Sequence, residues 1–372
     1  MASLSFSHIC KKYFTGTEAV RNFNLEVSDG EFVVLIGPSG CGKSTVLRMV
    51  AGLEDITDGD LTIGDTRVND LPPKARNVAM VFQNYALFPN MTVEENMGFA
   101  LKMQHVKRGE RKERVHQMAE ILQIEDLLPK EAKHLSGGQC QRIAIGRALV
   151  CEPDVFLLDE PLSNLDAQMR HELRSVIAEL QKQQHVTTLY VTHDLTEAMT
   201  LGDRIVLMEK GQIKQVATPQ VICQRPANVF AAKFVTGSNI NIIDATCSLK
   251  AGQAYLTVGS QRLRLPDWKY ASLEAQLEDG QEVQVGIHAE DIMLNVAKEP
   301  PADGTIEVLS AEVASIENLG MSGRAYLRVA EQVLNAMASD MAGTTPGTEI
   351  SIGIPLSRIL LFEKEGGARI DY

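Results

Sequence analysis

The chain has 372 residues, of which 44% are hydrophobic and 23% charged, and its formal net charge is -12 at pH 7. This length predicts two or three domains, and the composition is typical of a globular protein with a buried core. The acidic balance argues against nucleic acid as a partner, because proteins that bind nucleic acid need a basic face.

The first predicted elements are antiparallel strands within residues 4 to 27, where apolar and polar residues alternate. The aromatic pair Tyr13 and Phe14 lies between them. An aromatic side chain at this place could stack on a nucleotide base, or it could simply fill the strand surface. Both interpretations stay open at this point.

The next element is a phosphate-binding loop between a strand and a helix. The apolar run of residues 32 to 36 precedes a match to G-x-x-x-x-G-K-[ST], and residues 43 to 51 have helical spacing. Inward-turned amides and a helix N-terminus suit a di- or triphosphate. We expect Lys43 to reach the terminal phosphates and Ser44 to bind magnesium. The loop consists of Gly37, Pro38, Ser39, Gly40, Cys41, Gly42, Lys43, Ser44 and Thr45.

Short apolar runs at residues 59 to 63 and 78 to 82 predict two further strands. Gln83 follows the second of them. A glutamine just past a buried strand can hold a metal ion or a water molecule, although a lone glutamine is usually a surface residue. The apolar cluster at residues 85 to 88 fits either loop packing or a docking surface.

A second potential anion site follows a charged, amphipathic segment at residues 109 to 128. Ser136, Gly137, Gly138 and Gln139 stand directly ahead of a helix that we predict over residues 140 to 150. A serine and two glycines at a helix N-terminus can bind an anion. The alternative is an ordinary capped helix after a turn.

The apolar run of residues 155 to 158 predicts a strand buried in a parallel sheet, and Asp159 and Glu160 follow it. Ligands bind at the carboxyl ends of such strands. Neighbouring strand residues point in opposite directions, so one carboxylate can hold magnesium while the next activates water. The alternative is that one of the two carboxylates caps the segment that follows.

Asp166 lies at the start of a helix that we predict to run to about residue 184. Residues 187 to 192 are rich in residues that favour strands and predict another strand, and His193 follows it at once. A single histidine is usually structural, but at a strand end of this sheet it faces the ligand side.

Residues 204 to 209 and 212 to 217 predict two strands that close the first domain, and a helical linker then ends near residue 237. From residue 238 the sequence pattern changes to short strand-like runs separated by Gly, Asp and Pro. This pattern predicts one or two small β-barrels. This part holds 10 basic and 19 acidic side chains, so regulation or self-association is favoured over RNA binding. Strands are predicted at residues 255–258, 262–265, 282–287, 305–313, 325–329, 350–354 and 359–362.

Membrane and redox signals in the sequence are few. No run approaches the roughly eighteen apolar residues that predict a membrane helix, and the first residues lack a signal-peptide layout. Any membrane role is therefore expected to come through a partner. Six scattered cysteines without C-x-x-C spacing predict a reducing cytoplasm.

Taken together, these motifs resemble those of the nucleotide-binding subunits of ABC transporters. The motifs are the phosphate loop, Gln83, Leu-Ser-Gly-Gly-Gln at 135–139, Leu-Leu-Asp-Glu-Pro at 157–161, Ser-Asn-Leu-Asp at 163–166 and Thr-His-Asp at 192–194. The stretches similar to the maltose and multiple-sugar importer group are residues 37–52, 80–89, 156–166 and 190–199. Residues 234 to 241 resemble the junction at which that group passes into its C-terminal regulatory barrel.

The resemblance implies an α/β P-loop NTPase fold over residues 1–237, with an antiparallel β subdomain and a helical subdomain. An all-β, OB-like regulatory barrel domain would follow over residues 238–372. The cofactors would be ATP and magnesium.

The resemblance also implies roles for single residues. Tyr13 would stack on adenine, and residues 37 to 45 would hold the phosphates, with Ser44 on magnesium. Gln83 would sense magnesium and the attacking water and would link the site to a membrane partner. Asp159 would help to hold magnesium. Glu160 would be the general base, and His193 would contact the terminal phosphate.

Two chains would share each site under this resemblance. Ser136, Gly137 and Gly138 would touch the ATP of the opposite subunit, and Gln139 and Asp166 would also belong to the nucleotide-binding residues. ATP would close a homodimer, and hydrolysis would release it. The implied partners are two transmembrane permease subunits and an extracytoplasmic solute-binding protein, so the chain would lie at the cytoplasmic face of the membrane.

The function expected from the resemblance is ATP hydrolysis that powers a binding-protein-dependent sugar importer. An importer of polyamines, iron or an inorganic anion is the alternative, because the ATPase does not touch the cargo. A soluble ABC ATPase acting on nucleic acid is less favoured. Chromosome-type members insert a long coiled coil between the loop and the signature motif, whereas about ninety residues separate Lys43 from Ser136 here.

The sequence departs from the family pattern in two places. Cys140 follows the Leu-Ser-Gly-Gly-Gln motif where many relatives carry arginine or glutamine, and it brings an oxidisable thiol near the expected interface. His288 and Ala289 stand where relatives usually show arginine and proline. The contacts of the C-terminal domain are therefore expected to differ from those of relatives.

Overall fold

The structure is a computed structural model, and it describes residues 2–299, 301, 304–318, 320, 322–341 and 343–371. The chain divides into two compact units, Met1–Ile222 and Cys223–Tyr372. This division, after Ile222, lies upstream of the domain boundary that the sequence predicts at residue 237. The boundary at 237 stays a prediction.

The first unit contains two sheets. In one, β2, β1, β4 and β5 lie side by side as antiparallel neighbours. In the other, the order is β10-β9-β3-β8-β7-β6, with parallel neighbours from β9 to β6 and an antiparallel β10. The strands are β1 (Leu4–Lys12), β2 (Glu18–Val27), β3 (Phe32–Ile36), β4 (Asp58–Ile63), β5 (Thr66–Arg67), β6 (Val78–Val81), β7 (Val155–Asp159), β8 (Thr187–Thr192), β9 (Arg204–Glu209) and β10 (Gln212–Ala217).

The helices of this part of the chain are α1 (Lys43–Ala51), α2 (Val93–Met97), α3 (Phe99–Met103), α4 (Arg108–Leu122), α5 (Gly137–Leu149), α6 (Ala167–Gln184), α7 (Leu195–Leu201) and α8 (Pro219–Gln224). Short 3-10 turns lie at Pro73–Ala75, Glu125–Leu127 and Ala132–His134. Helices α2 and α4 both pack on α5, which produces the expected helical subdomain. Within the described part of the chain, no helix has the length and apolar character needed to cross a bilayer.

Parallel strands covered on both faces should be apolar throughout, and β3, β7 and β8 are buried along their whole length. A single core joins the two sheets through α1. Its members include Phe6 of β1, Leu47 of α1 and Leu157 of β7. This packing fixes the N-terminus of α1 against the carboxyl end of β3, where the phosphate loop lies.

The second unit is built almost entirely from antiparallel strands, in the orders β13-β12-β11-β14-β20-β21 and β15-β19-β16-β17-β18. Buried residues of both sheets form one core. Its strands are β11 (Ile240–Lys250), β12 (Gln253–Val258), β13 (Gln261–Arg264), β14 (Glu282–His288), β15 (Met293–Leu294), β16 (Ile306–Asn318), β17 (Gly323–Val329), β18 (Gln332–Ala338), β19 (Glu349–Pro355), β20 (Leu360–Glu363) and β21 (Arg369–Ile370). Its helices are α9 (Val229–Thr236) and α10 (Tyr270–Glu274), with 3-10 turns at Gly237–Asn239, Asp267–Lys269 and Leu356–Arg358.

The predicted fold class, a P-loop α/β domain followed by an all-β region, is confirmed. The sequence analysis missed four strands of the second unit, the longer β11 and β18 and the two-residue β15 and β21.

Candidate functional site

The phosphate loop is packed so closely that two of its positions require glycine. Gly37 and Gly42 have φ values of 156° and 105°. A Cβ on Gly37 would lie 2.2 Å from the carbonyl oxygen of Met208, and one on Gly42 would lie 2.4 Å from that of Ala19. The loop therefore lies directly against the backbones of β9 and β2, and any side chain at these positions would displace it.

Lys43 carries the positive charge of the loop. Its side chain is buried, and Nζ donates to the carbonyl oxygens of Gly37 at 2.8 Å and Pro38 at 3.0 Å. The ammonium therefore lies inside the loop, where phosphate oxygens can replace these carbonyls as acceptors. Burial raises the pKa of the neighbouring Cys41 thiol, although Lys43 opposes that shift. The cysteine therefore adds no negative charge at neutral pH.

Ser44 and Asp159 form the pair of oxygen groups that suits magnesium. Ser44 Oγ donates to Asp159 Oδ1 at 2.7 Å, and Asp159 is a buried residue at the end of β7. Magnesium prefers hydroxyl, carboxylate, water and phosphate oxygens. Among the described residues, no group of three or more His, Cys, Asp or Glu side chains is arranged to hold a metal alone. The donor set thus fits a magnesium ion that phosphate oxygens also hold.

Glu160 and His193 meet at the neighbouring strand ends. Glu160 Oε2 lies 3.1 Å from His193 Nδ1, and the backbone N-H of Glu160 donates to the carbonyl oxygen of Val191 at 3.0 Å. Both side chains reach solvent, with 25% of Glu160 and 57% of His193 exposed. The sequence analysis expected strand alternation to separate Asp159 from Glu160. Glu160 instead follows the strand with a φ of 46°, and this left-handed turn redirects its carboxylate.

The segment after β6 is tied to two other parts of the first unit. Asn164 Nδ2 donates to the carbonyl oxygen of Gln83 at 2.9 Å, and the Gln83 side chain is exposed. Tyr85 and Ala86 have φ values of 61° and 49°, a conformation that costs energy for non-glycine residues. The guanidinium of Arg147 donates to both of their carbonyl oxygens, at 3.0 and 2.6 Å, and so stabilises this strained turn.

Helix α5 begins earlier than the sequence analysis predicted. Ser136 is its N-cap and forms a capping box with Gln139, so Gly137 and Gly138 make the first helical turn. The prediction of a helix start at residue 140 is therefore wrong. A Cβ on Gly138 would lie 2.7 Å from Met169 Sδ, which explains why glycine fits a helical position there. The amides of this turn are the ones that an anion would meet.

Tyr85 and the start of α6 lie next to this first turn of α5. The hydroxyl of Tyr85 lies 3.1 Å from the place that a Cβ on Gly137 would occupy, so the strained turn packs on α5. Asp166 is the N-cap of α6 and accepts from the N-H of Met169 at 2.9 Å. Burial raises the pKa of the Cys140 thiol. That thiol is therefore a poor nucleophile at neutral pH.

Tyr13 lies in the turn between β1 and β2, where its ring is partly exposed. Lys11 Nζ is 5.1 Å from the centre of the ring, within the range of a cation-π contact. The adjacent Phe14 is fully exposed. A stacking role for Tyr13 stays a prediction.

Strand pairing explains which predicted residues meet. Ile36 lies opposite Thr192 and Asp159 lies opposite Val191, so the loops that follow β3, β7 and β8 start side by side. This register unites the phosphate loop, the two carboxylates and His193. The N-terminal turn of α5 has its contacts on Tyr85 and Met169 instead.

The sequence analysis missed Glu197, which lies on α7 and is 3% exposed. Its carboxylate accepts hydrogen bonds from Tyr190 and from Thr192, the residue before His193. One signal in the sequence could have found it. Glu197 follows His193 by four residues and lies on a helix face whose other buried residues, Ala198 and Leu201, are apolar.

An apolar groove of about 700 Å³ lies beside the strained turn. Phe88 and Phe99 line it with their ring centres 4.7 Å apart, and Met103 is 56% exposed. Arg147, which holds the strained turn, and Cys151 line the same groove. Of the two interpretations of residues 85–88, the groove favours a docking surface for Phe88, whereas Tyr85 packs on α5.

Comparison with known proteins gives full-length relatives. The ABC transporter family model matches residues 20–163. The chain is 44% identical over 365 residues to the ABC transporter ATP-binding protein YurJ of Bacillus subtilis, with 98% of each chain covered. It is 44% identical over 374 residues to the sn-glycerol-3-phosphate import ATP-binding protein UgpC of Chromobacterium violaceum, covering 100% of this chain and 97% of UgpC. It is also 44% identical over 375 residues to the maltose/maltodextrin import ATP-binding protein MalK of Yersinia pestis, covering 99% and 97%.

A solved dimeric ATP-binding cassette, in a post-hydrolysis state bound to ADP and Pi, is similar in structure. The TM-score is 0.53 at 31% sequence identity, and the match covers 58% of this chain and 98% of the cassette. The relatives, by contrast, match along almost the whole chain. The chain therefore belongs to the ATP-binding proteins of the ABC transporter family, and its activity is ATP hydrolysis.

Proposed function

We propose that the chain is the ATPase subunit of a binding-protein-dependent importer and that the cargo is a sugar. The similarity that carries the importer assignment is the 44% identity to MalK and UgpC over the full length of the chain. The geometry that supports hydrolysis is the meeting of Ser44 with Asp159 and of Glu160 with His193 at adjacent strand ends.

The mechanism uses each group for one task. The loop amides and Lys43 hold the phosphates, and Ser44, Asp159 and the Gln83 side chain would hold magnesium and orient water. Magnesium, when bound, neutralises charge on the phosphates. Glu160 takes the proton of the attacking water. His193, held beside that carboxylate, contacts the terminal phosphate.

Each site is shared between two copies of the chain. Ser136, Gly137, Gly138 and Gln139 present a capped helix N-terminus, which suits the phosphates of the partner's ATP. Asp166 and Tyr13 complete the nucleotide site, with Tyr13 stacked on adenine. Bound ATP then closes the homodimer, and hydrolysis lets it open.

The permease subunits dock in the apolar groove beside the strained turn, and this places the ATPase at the cytoplasmic face of the membrane. The exposed Phe88 and Met103 suit the apolar face of a short permease helix. Arg147 joins the groove to the turn that follows Gln83, so docking and the site share one segment. An extracytoplasmic binding protein delivers the cargo to the permease.

The docking assignment is tested by co-purification of the permease subunits with the ATPase. Met103→Asp places a charge in the groove and is expected to abolish co-purification while leaving the ATPase folded. Ile121→Asp is the control, because Ile121 is also an exposed apolar residue, on α4, and does not line the groove. Equal retention of the permease by both variants would contradict docking at this groove.

The cargo is tested by ATP hydrolysis of the assembled transporter in the presence of loaded binding proteins. A sugar-loaded binding protein is expected to stimulate hydrolysis. The similarity to UgpC favours one rival, a glycerol phosphate, and polyamines, iron and inorganic anions are the others. Stimulation by one of these loaded proteins and by no sugar-loaded protein would show that the sugar assignment is wrong.

A further inference from the structure

The carboxylate of Glu197 is a buried hydrogen-bond acceptor that the mechanism above does not use. Its Oε2 atom accepts from Tyr190 Oη at 2.8 Å and from Thr192 Oγ1 at 2.7 Å. All three side chains are at most 3% exposed. Burial raises the pKa of Glu197, and the two hydroxyl donors oppose the shift. A buried acceptor with two donors holds both of them in fixed directions.

The Thr192 hydroxyl connects the Glu197 carboxylate to the backbone at Asp194 through a second hydrogen bond. A hydroxyl has one proton, and here it points to Glu197. The oxygen of Thr192 is thereby left to accept from the backbone N-H of Asp194, at 3.0 Å. The carboxylate of Asp194 in turn accepts from the N-H groups of Thr196 and Glu197, at 2.7 and 3.2 Å. Thr192 is therefore held by the Glu197 carboxylate, and Asp194 is held by the Thr192 hydroxyl and by the backbone amides of Thr196 and Glu197.

His193 itself has little packing to fix its direction. Its side chain is 57% exposed, and its contact with Glu160 is a single one at 3.1 Å. The direction of the ring is therefore set mainly by the backbone from Thr192 to Asp194. A small displacement of that backbone would move the ring away from Glu160.

We propose that Glu197 is a positioning residue for ATP hydrolysis, acting through the Thr192 hydroxyl to hold His193 against Glu160. The inference rests on the role proposed for His193 in the function above. The task of Glu197 is to accept hydrogen bonds, so an amide oxygen of the same reach can replace the carboxylate. A methyl group cannot.

The test is steady-state ATP hydrolysis by full-length variants. Glu197→Ala is expected to lower kcat by about 10-fold or more, because misplacing a reacting group is costly, with less than about a threefold change in KM. Glu197→Gln is expected to retain kcat within about threefold, because it keeps the acceptor. Tyr190→Phe is the matched control. It removes a buried hydrogen bond to the same oxygen but leaves the link to His193, so kcat should stay within about twofold.

A double-variant cycle separates positioning from a general loss of stability. In a His193→Ala background, the addition of Glu197→Ala is expected to cause no further loss of the residual kcat, because both changes act on one group. Thr192→Val breaks the same link while Glu197 stays in place, and it serves as the test if Glu197→Ala does not fold. It should lower kcat as Glu197→Ala does.

Three outcomes would overturn the inference. Full loss of kcat in Glu197→Gln, or additive losses in the double variant, would show that Glu197 does not act as an acceptor through His193. Wild-type kcat in Glu197→Ala, with an inactive His193→Ala, would refute the positioning role alone. Wild-type kcat in His193→Ala would instead refute the proposed role of His193, and the inference would fall with it.

Discussion

Glu160 is the side chain on which turnover depends in the proposed mechanism. Glu160→Gln keeps the shape but removes the base, so kcat is expected to fall by about 100-fold or more. ATP binding should persist, because the phosphate contacts of the loop remain. The variant should therefore form a long-lived dimer with ATP, measured by gel filtration and by phosphate release.

The control for this prediction is Glu113→Gln, which makes the same change on the exposed surface of α4. It should hydrolyse ATP as the wild type does. Turnover at the wild-type rate by Glu160→Gln would show that another group is the base.

The burial of Lys269 predicts that the stability of the second unit depends on pH. The lysine is buried, its ammonium donates to the carbonyl oxygen of Leu356 at 2.9 Å, and burial lowers its pKa to about 8. The unfolded chain holds this proton more tightly, since its lysine pKa is near 10.5. Raising the pH from 7 to 10 should therefore increase the stability of the wild type by about 2 kcal/mol from this group.

Lys269→Met removes this titration. The difference in the free energy of unfolding, wild type minus variant, should thus increase as the pH rises. Urea unfolding followed by far-UV circular dichroism measures it. Lys250→Met, a change at an exposed lysine, should leave the pH dependence as it is in the wild type. A difference that stays constant with pH would contradict the prediction.

At the scale of elements, the phosphate loop depends on how closely it lies against its neighbours. Gly40 and Gly42 both have positive φ, but a Cβ on Gly40 would meet nothing within 4 Å, whereas one on Gly42 would lie 2.4 Å from Ala19. Gly40→Ala should lower the free energy of unfolding by about 1–2 kcal/mol, because alanine disfavours the left-handed conformation. Gly42→Ala should cost clearly more, because the backbone of β2 must also move. Urea unfolding followed by far-UV circular dichroism compares them, and equal losses would show that this contact does not limit the loop.

The elements that the sequence predicted well are those whose local signals and packing agree. The strands at residues 32–36 and 187–192 and the helix at residues 43–51 have the predicted bounds. An apolar run, a run of β-branched and aromatic residues, and helical spacing after a loop are strong local signals. The turn at Glu160 was not predictable, because nothing in a glutamate favours a positive φ.

Strand β18 was missed and the start of helix α5 was misplaced, because tertiary contacts overrode weak local signals. Strand β18 contains Asn335, Met337 and alanines, which have modest strand preference, and it forms by pairing with β17. Asn241 Nδ2 of β11 donates to the carbonyl oxygen of Asn335, which also ties β18 to a strand of the other sheet. Helix α5 starts at Gly137, although glycine is a poor helix former. The Ser136 capping box and the close packing of Gly138 on Met169 decide that start.

At the scale of the whole molecule, the shared site predicts different defects for its two halves. In a Glu160→Gln background, Lys43→Ala should lose ATP binding and therefore also the ATP-dependent dimer. Ser136→Arg should still bind ATP as a monomer but should not form the dimer, because Ser136 serves the partner's ATP. Nucleotide binding measured by fluorescence and dimer formation measured by light scattering separate the two. If Ser136→Arg loses monomer ATP affinity as Lys43→Ala does, the signature turn acts within its own chain.

The sequence by itself determined the nucleotide chemistry, because the phosphate loop, the paired carboxylates and the histidine are local motifs whose residue types fix what they can bind. It also determined the order of an α/β domain and an all-β region, because hydrophobic periodicity reflects which faces are buried. Tertiary structure alone decided that Glu160 meets His193 and that Glu197 stands behind that pair. The first contact depends on strand register and on a positive φ at Glu160, and the second depends on the burial of Glu197 against Tyr190 and Thr192. The residue types and their spacing do not by themselves specify either contact.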